Sequence, residues 1–193
     1  MEQIEYFMRN GLGITDDNII QLAQRVSRVV RVPGKAHLYN QGDPLTEIAF
    51  LIEGMFRFYT IGVDGQEHTE CFCDLNGFAI TPLANFDIVL PVNIQALEDS
   101  VVLVIPRKVI EEVLQENVEV MRTYIKQLQV SVAMHWETKV ALYQYDAEQR
   151  YAWFLKRYPK LIERVPHRHI ASFLNITPVT LSRLRRKFKE KET

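Results

Sequence analysis

Apolar positions along this chain repeat with two periods, and the period changes twice. Residues 4–10 and 16–25 carry apolar side chains at helical spacing. Asp16 or Thr15 can cap the second of these short helices, whose apolar side is Ile19, Ile20, Leu22 and Ala23. From Ser27 the period falls to two. Short segments rich in Val, Ile, Phe and Tyr follow one another: SRVVRV, KAHLY, EIAFLIE, MFRFYTI, HTECFC, VNIQAL and SVVLVI. They are separated by turn chemistry at Pro33-Gly34, Gly42-Asp43-Pro44, Glu53-Gly54, Asp64-Gly65, Asn76-Gly77 and Glu98-Asp99. Short, regularly spaced strands predict an antiparallel barrel or roll of the jelly-roll kind.

Near Pro106 the period returns to about 3.6. Residues 107–114 predict a short helix, and a long one follows from Asn117 to about Tyr143. In the long helix Val118, Met121, Ile125, Leu128, Val132, His135, Lys139 and Leu142 alternate steps of three and four, as in a coiled-coil seam, with His135 and Lys139 weakening its lower half. Such a stripe either pairs with a second copy or packs on the chain's own roll; we expect the pairing. Residues 146–158 predict a further helix, and Pro159 and Pro166 bracket the approach to the last segment.

That segment, residues 165–188, reads VPHRHIASFLNITPVTLSRLRRKF. Ile170, Ala171 and Leu174 share a face of one short helix. Asn175 tolerates the left-handed conformation of a sharp turn, and Thr177-Pro178 has the form of an N-cap followed by proline at the first helical position. In the second helix Leu181, Leu184 and Phe188 line one face, while Val179, Thr180, Ser182, Arg183 and Arg186 point the other way. A buried stripe backed by small, hydroxyl and arginine side chains suits a helix lying in the DNA major groove.

Charge strengthens this expectation. The net charge is −1, yet residues 150–193 hold 12 Lys and Arg against 3 Glu, or +9, and residues 1–149 hold 11 against 21 acidic residues, or −10. A polyanion would meet only the C-terminal part. With 47% hydrophobic residues there is ample material for a core, but no apolar run approaches the ~20 residues of a membrane span. The start, MEQIEYFMRN, lacks a basic-then-apolar signal pattern, so a cytoplasmic location is expected. Cys71 and Cys73 are too few for a disulfide framework, and a reducing compartment is expected.

The stretch PGKAHLYNQGDPLTEIAFLIEGMFRFY looks like the N-terminal half of a cyclic-nucleotide-binding roll, through Gly34, the Gly42-Asp43 pair, Gly54 after an apolar strand and Asp64-Gly65 in the next hairpin. A roll, a long helix and a C-terminal helix-turn-helix in that order resemble the Crp/Fnr family of bacterial transcription regulators. ERVPHRHIASFLNITPVTLSRLRRKF resembles the version found in the Bacteroidetes and their relatives. The resemblance implies an α+β chain in three parts: a β-roll sensor over 1–110, a dimerisation helix over 111–145 and an all-α DNA-binding domain over 146–193. It implies a homodimer on double-stranded DNA, with RNA polymerase and an unidentified small-molecule effector as further partners. Neither a cofactor nor a catalytic activity is expected, and no membrane association.

Two departures from the family pattern qualify this. Members that bind cyclic AMP carry a Gly-Glu pair for the ribose and an arginine for the phosphate. In NGFAITPLANFDIVLPVNIQALED, Gly77 remains without a closely following glutamate, and Leu90, Pro91 and Val92 stand where the arginine is expected. Without a cationic partner a buried cyclic phosphate loses its charge-assisted contact. Cyclic AMP is therefore not expected to bind in the usual way, and the candidate ligand pocket is Phe72, Gly77, Phe78, Ala79 and Val92. No cysteine precedes Cys71, so an N-terminal iron–sulfur site is not expected either. In the recognition helix Pro178 and Val179 replace the family's Arg-Glu pair, while Arg183 matches a later arginine. The candidate DNA-binding set is Thr177, Val179, Thr180, Ser182, Arg183, Arg186, Lys187, Lys189 and His169, with Lys191 a further phosphate contact, Arg185 at the edge of the core face, and no wing hairpin following.

Other constellations are weaker. His37 and His68 do not make a cupin-like metal centre: His37 stands alone, and Glu67 and Glu70 beside His68 are expected on exposed strand faces or in turns, so no metal site is expected. His167 and His169 stand two apart and cannot share a helical face, which leaves phosphate contact or surface exposure. The rival functional readings are a roll that binds a protein partner through its C-terminal helices, and a cupin-like metalloenzyme.

Overall fold

The computed structural model of the chain describes residues 1–81 and 89–192; residues 82–88, Thr193 and the side chains of Lys191 and Glu192 lie outside the description. Two helices come first, α1 (Glu2–Asn10) and α2 (Asp17–Val26), then seven strands: β1 (Arg28–Val32), β2 (His37–Tyr39), β3 (Glu47–Glu53), β4 (Phe56–Ile61), β5 (Glu67–Cys73), β6 (Asn93–Ala96) and β7 (Ser100–Pro106). The helices α3 (Arg107–Glu116), α4 (Val118–Gln144), α5 (Ala147–Arg157), α6 (Leu161–Arg164), α7 (His167–Phe173) and α8 (Pro178–Glu192) complete the described chain. The strands form a three-stranded sheet in the order β1-β7-β3 and a four-stranded sheet in the order β2-β6-β4-β5. An antiparallel roll flanked by helices is the α+β architecture expected from the sequence. Helix α6 was not foreseen.

The chain divides into two compact units, Met1–Phe58 with Phe72–Ser131, and Tyr59–Cys71 with Val132–Thr193. In the first unit the three-stranded sheet is buried on both faces. Ile48, Phe50, Leu103 and Ile105 join Phe7, Met8, Ile20 and Ala23 of the N-terminal helices in one cluster. Ala49, Leu51, Val102 and Val104 point the other way, into the roll interior with Phe56, Cys73, Ile80, Ile94 and Ala96. This two-sided burial explains why β3 and β7 read as continuous apolar runs rather than alternating ones. Asp16 caps α2, its carboxylate accepting from the Asn18 and Ile19 amides.

Within this unit α4 grips the loop after β5. The Ala79 amide donates to Gln127 Oε1 at 2.9 Å, and Gln127 Nε2 donates to the Gly77 carbonyl at 2.8 Å. Gly77 has φ +78°, and a Cβ there would lie 2.1 Å from the Gly11 carbonyl oxygen. Only glycine fits both the backbone conformation and this approach.

The expected ligand-pocket residues are core elements here. Phe72 and Ala79 are 2% and 7% exposed, Phe78 and Val92 pack against the roll-interior cluster, and Gly77 meets Gly11. Leu90, one of the three residues standing where the resemblance leads one to expect an arginine, is fully buried among apolar side chains. The remainder of that stretch, residues 82–88, is outside the described residues.

Candidate nucleic-acid interface

In the second unit an aromatic cluster fixes the C-terminal helices. Phe173 of α7 stacks on Trp153 of α5 at 6.0 Å between ring centroids, and Phe154 and Tyr158 close round it. Asp146 caps α5 in a reciprocal capping box with Gln149. The hairpin segment Tyr59–Cys71 belongs to the same unit: Ser172 Oγ accepts from the Thr69 amide at 2.9 Å and donates to the Glu67 carbonyl at 3.0 Å.

The turn between α7 and α8 has the expected chemistry. Asn175 takes φ +50°, and the Asn175 and Ile176 amides return to the Ser172 and Ala171 carbonyls. Thr177 Oγ1 then accepts the Thr180 amide at 3.1 Å, capping α8 with Pro178 at its first position. Leu181 is 1% exposed, Leu184 and Phe188 are half-buried, and the Phe188 ring meets Tyr151 edge-on at 5.1 Å. The opposite face carries Val179, Ser182, Arg183 and Arg186, all exposed and at spacings of three and four that place them along one side of the helix.

The remaining candidates differ in their surroundings. The hydroxyls of Thr177 and Thr180 lie 2.9 Å apart, so Thr180 is turned toward the cap. Lys187 and Lys189 are both exposed, Lys187 touching the Glu148 carboxylate, and the Lys191 side chain is outside the description. Arg186 is exposed and has only a long 3.9 Å approach to Glu190. His169 corrects the expectation of a phosphate contact or surface exposure: on α7 it is only 5% exposed, buried among the helices. His167 is exposed beside the guanidinium of Arg185, at 2.9 Å from Nδ1. Partial burial and that neighbouring cation hold the His167 pKa below its usual value, so the ring stays neutral and can accept.

A buried cation was also missed. Arg57 of β4 is 1% exposed, with Nη2 donating to Gln95 Oε1 at 2.7 Å. The residues alternate along β4, Phe56 facing the roll interior and Arg57 the other side of the sheet. No sequence signal marks such a residue, because a charged position in a strand reads as solvent-facing. Among the described residues no three His, Cys, Asp or Glu side chains converge as metal ligands, and no helix is long and apolar enough to cross a membrane.

Residues 29–117 match the family model of the cyclic nucleotide-binding domain. The roll is thus similar to a cyclic nucleotide-binding domain. Solved structures extend the likeness of fold beyond it. FixK2 from Bradyrhizobium japonicum is 18% identical, with a TM-score of 0.72 and 86% of each chain covered. The c-di-GMP responsive global regulator CLP of Xanthomonas campestris is 15% identical, with a TM-score of 0.74 over 92% of this chain and 93% of that one. A protein of Eubacterium rectale assigned to the crp/fnr family of transcriptional regulators is 16% identical, with a TM-score of 0.73 over 92% and 85% of the two chains. At these identities the shared property is the fold. No curated protein matches the sequence. The family match thus ends at the start of α4, and the helical segment that follows lies outside it.

Proposed function

We propose that this protein is a homodimeric, sequence-specific DNA-binding transcription regulator of the Crp/Fnr type, of the Bacteroidetes kind, acting in the cytoplasm. On this reading 1–110 is the sensor, 111–145 joins the subunits and 146–193 binds DNA. The observation that carries it is the free face of α8: Val179, Ser182, Arg183 and Arg186 point to solvent while Leu181 is anchored in the core. A helix held from behind and studded in front with small and guanidinium side chains can enter a major groove. Arg183 is placed to read a guanine edge and Val179 a thymine methyl. Lys189 serves the backbone phosphates, and Lys187 does so only by leaving Glu148.

A single short recognition helix gives little affinity, which favours two copies on two half-sites. The outward stripe of α4 supports this: Val118, Ile125, Val132, Trp136, Val140 and Tyr143 are between 38% and 82% exposed. A run of large apolar side chains facing water along one helix suits pairing with a second copy. The fully buried Leu90 supports the view that cyclic AMP is not the effector. Isothermal titration giving micromolar affinity or tighter for cyclic AMP would overturn that view.

The test of DNA reading is selection of bound genomic fragments by the purified protein, then fluorescence anisotropy on the enriched site with wild type and Arg183→Ala. The substitution weakens binding to the selected site by ~1–3 kcal/mol and hardly changes binding to random duplex. Equal losses on both duplexes would remove Arg183 from the reading role.

A further inference from the structure

The first unit contains a cavity of about 70 Å³ that is distinct from the roll interior. Its wall combines Leu12 and Leu22 from the N-terminal helical segment, Phe50 of β3, Val109 and Val113 of α3, and Tyr124 of α4. Among the described residues no charged side chain lines it, and the polar ones are confined to α4. The amide of Gln127 among them is already committed to Gly77 and Ala79. Leu12, Leu22, Val109 and Val113 are each only half-buried, so the cavity opens to solvent through an apolar rim.

Water gains little in such a space, because an ordered water needs two to four polar partners. Apolar occupants suffer no such loss: an engineered cavity of ~150 Å³ lined by aliphatic and aromatic side chains stays dry and takes up benzene or xenon. About half that volume, open at one end, suits a short hydrocarbon chain whose polar end remains in water.

We propose that this cavity between the N-terminal helices, α3 and α4 binds the alkyl end of a small uncharged amphiphile. The absence of any cation on its wall excludes an anionic nucleotide from the same place. Residues 120–127 of α4 form one side of the cavity, so an occupant presses directly on the helix segment that holds the Gly77–Ala79 loop. The site lies wholly within the first unit and stands or falls independently of DNA binding.

The probes are the straight-chain 1-alcohols from ethanol to octanol, titrated into the full-length protein and followed by methyl NMR. Saturable shifts confined to Leu, Ile and Val methyls around the cavity are expected, with affinity rising about four-fold per added methylene until the space is full and levelling off beyond. Val113→Phe fills the cavity and removes the saturable shifts; should that variant fail to fold, Leu22→Phe takes its place. Shifts that stay linear in alcohol concentration, that spread over surface methyls, or that persist in the folded, filled variant would overturn the proposal.

Discussion

Replacing Gln127 by leucine tests the grip of α4 on the roll. The side chain is 9% exposed and uses both ends of its amide, accepting from Ala79 and donating to Gly77. Leucine has a similar volume but can do neither, so one backbone amide and one carbonyl lose their partners in a buried place. Each unsatisfied group costs ~1–3 kcal/mol, and partial compensation by the extra apolar burial leaves a net loss of roughly 2–4 kcal/mol. With a urea slope of ~2 kcal/mol per molar, the midpoint falls by about 1–2 M. The probe matters, because Trp136 and Trp153 both belong to the second unit and tryptophan fluorescence would miss the event. Backbone amide NMR across the urea series follows the first unit directly, and the Ala79 amide should exchange with solvent faster than in wild type. Gln127→Glu adds a pH signature. Burial, and a carboxylate oxygen set against the Gly77 carbonyl where the amide Nε2 stood, outweigh the Ala79 amide that still donates and raise the folded-state pKa of the new carboxyl above its unfolded value. The variant is therefore least stable above that raised pKa, and the penalty shrinks as pH falls through it. An unfolding free energy for Gln127→Leu within about 0.5 kcal/mol of wild type would refute the clamp, given that a typical surface change is of that size.

Three further outcomes are expected. Trp136→Glu places a charge on the exposed stripe of α4 and should shift the sedimentation coefficient from dimer to monomer at micromolar protein; an unchanged coefficient would count against pairing through this helix. Burial pushes the Cys73 thiol up to about 12, so iodoacetamide near pH 8 should modify Cys71 first and leave Cys73 until unfolding, as read by peptide mass mapping. The Glu119 carboxylate accepts from the Thr15 hydroxyl and from the Thr15 and Asp16 amides, which hold its pKa below the usual value. Its contribution to stability is present above the ordinary carboxylate pKa and fades as pH falls through the lowered folded-state value; Glu119→Gln should flatten that part of the acid-unfolding profile.

Local signals were legible in the sequence where one residue type performs one local task. Asp16 and Thr177 announce helix starts because their oxygens reach an amide two or three residues on, and both cap as their chemistry suggests. Asn175 announces the turn because it tolerates a positive φ. The seven strands follow from apolar runs and the turns between them. What stayed hidden depends on partners far away in sequence. Gln127 is an ordinary polar helix residue until the loop after β5 is placed against it. Arg57 and His169 read as surface groups, since nothing local shows that both of their neighbourhoods are covered. The pairing of Lys187 with Glu148 joins two helices 39 residues apart, which no local pattern encodes. Helix α6 is a single turn between Pro159 and Pro166, too short to display a period.

The bare contact between Gly77 and Gly11 makes the opening helix an integral stave of the barrel rather than an appendage. Main chain rests on main chain there, so no side chain can be shortened to relieve a misfit. Grafting this helical lead onto another roll would succeed only if the recipient also carries glycine at the receiving point, and even an alanine at position 77 would prise the two apart.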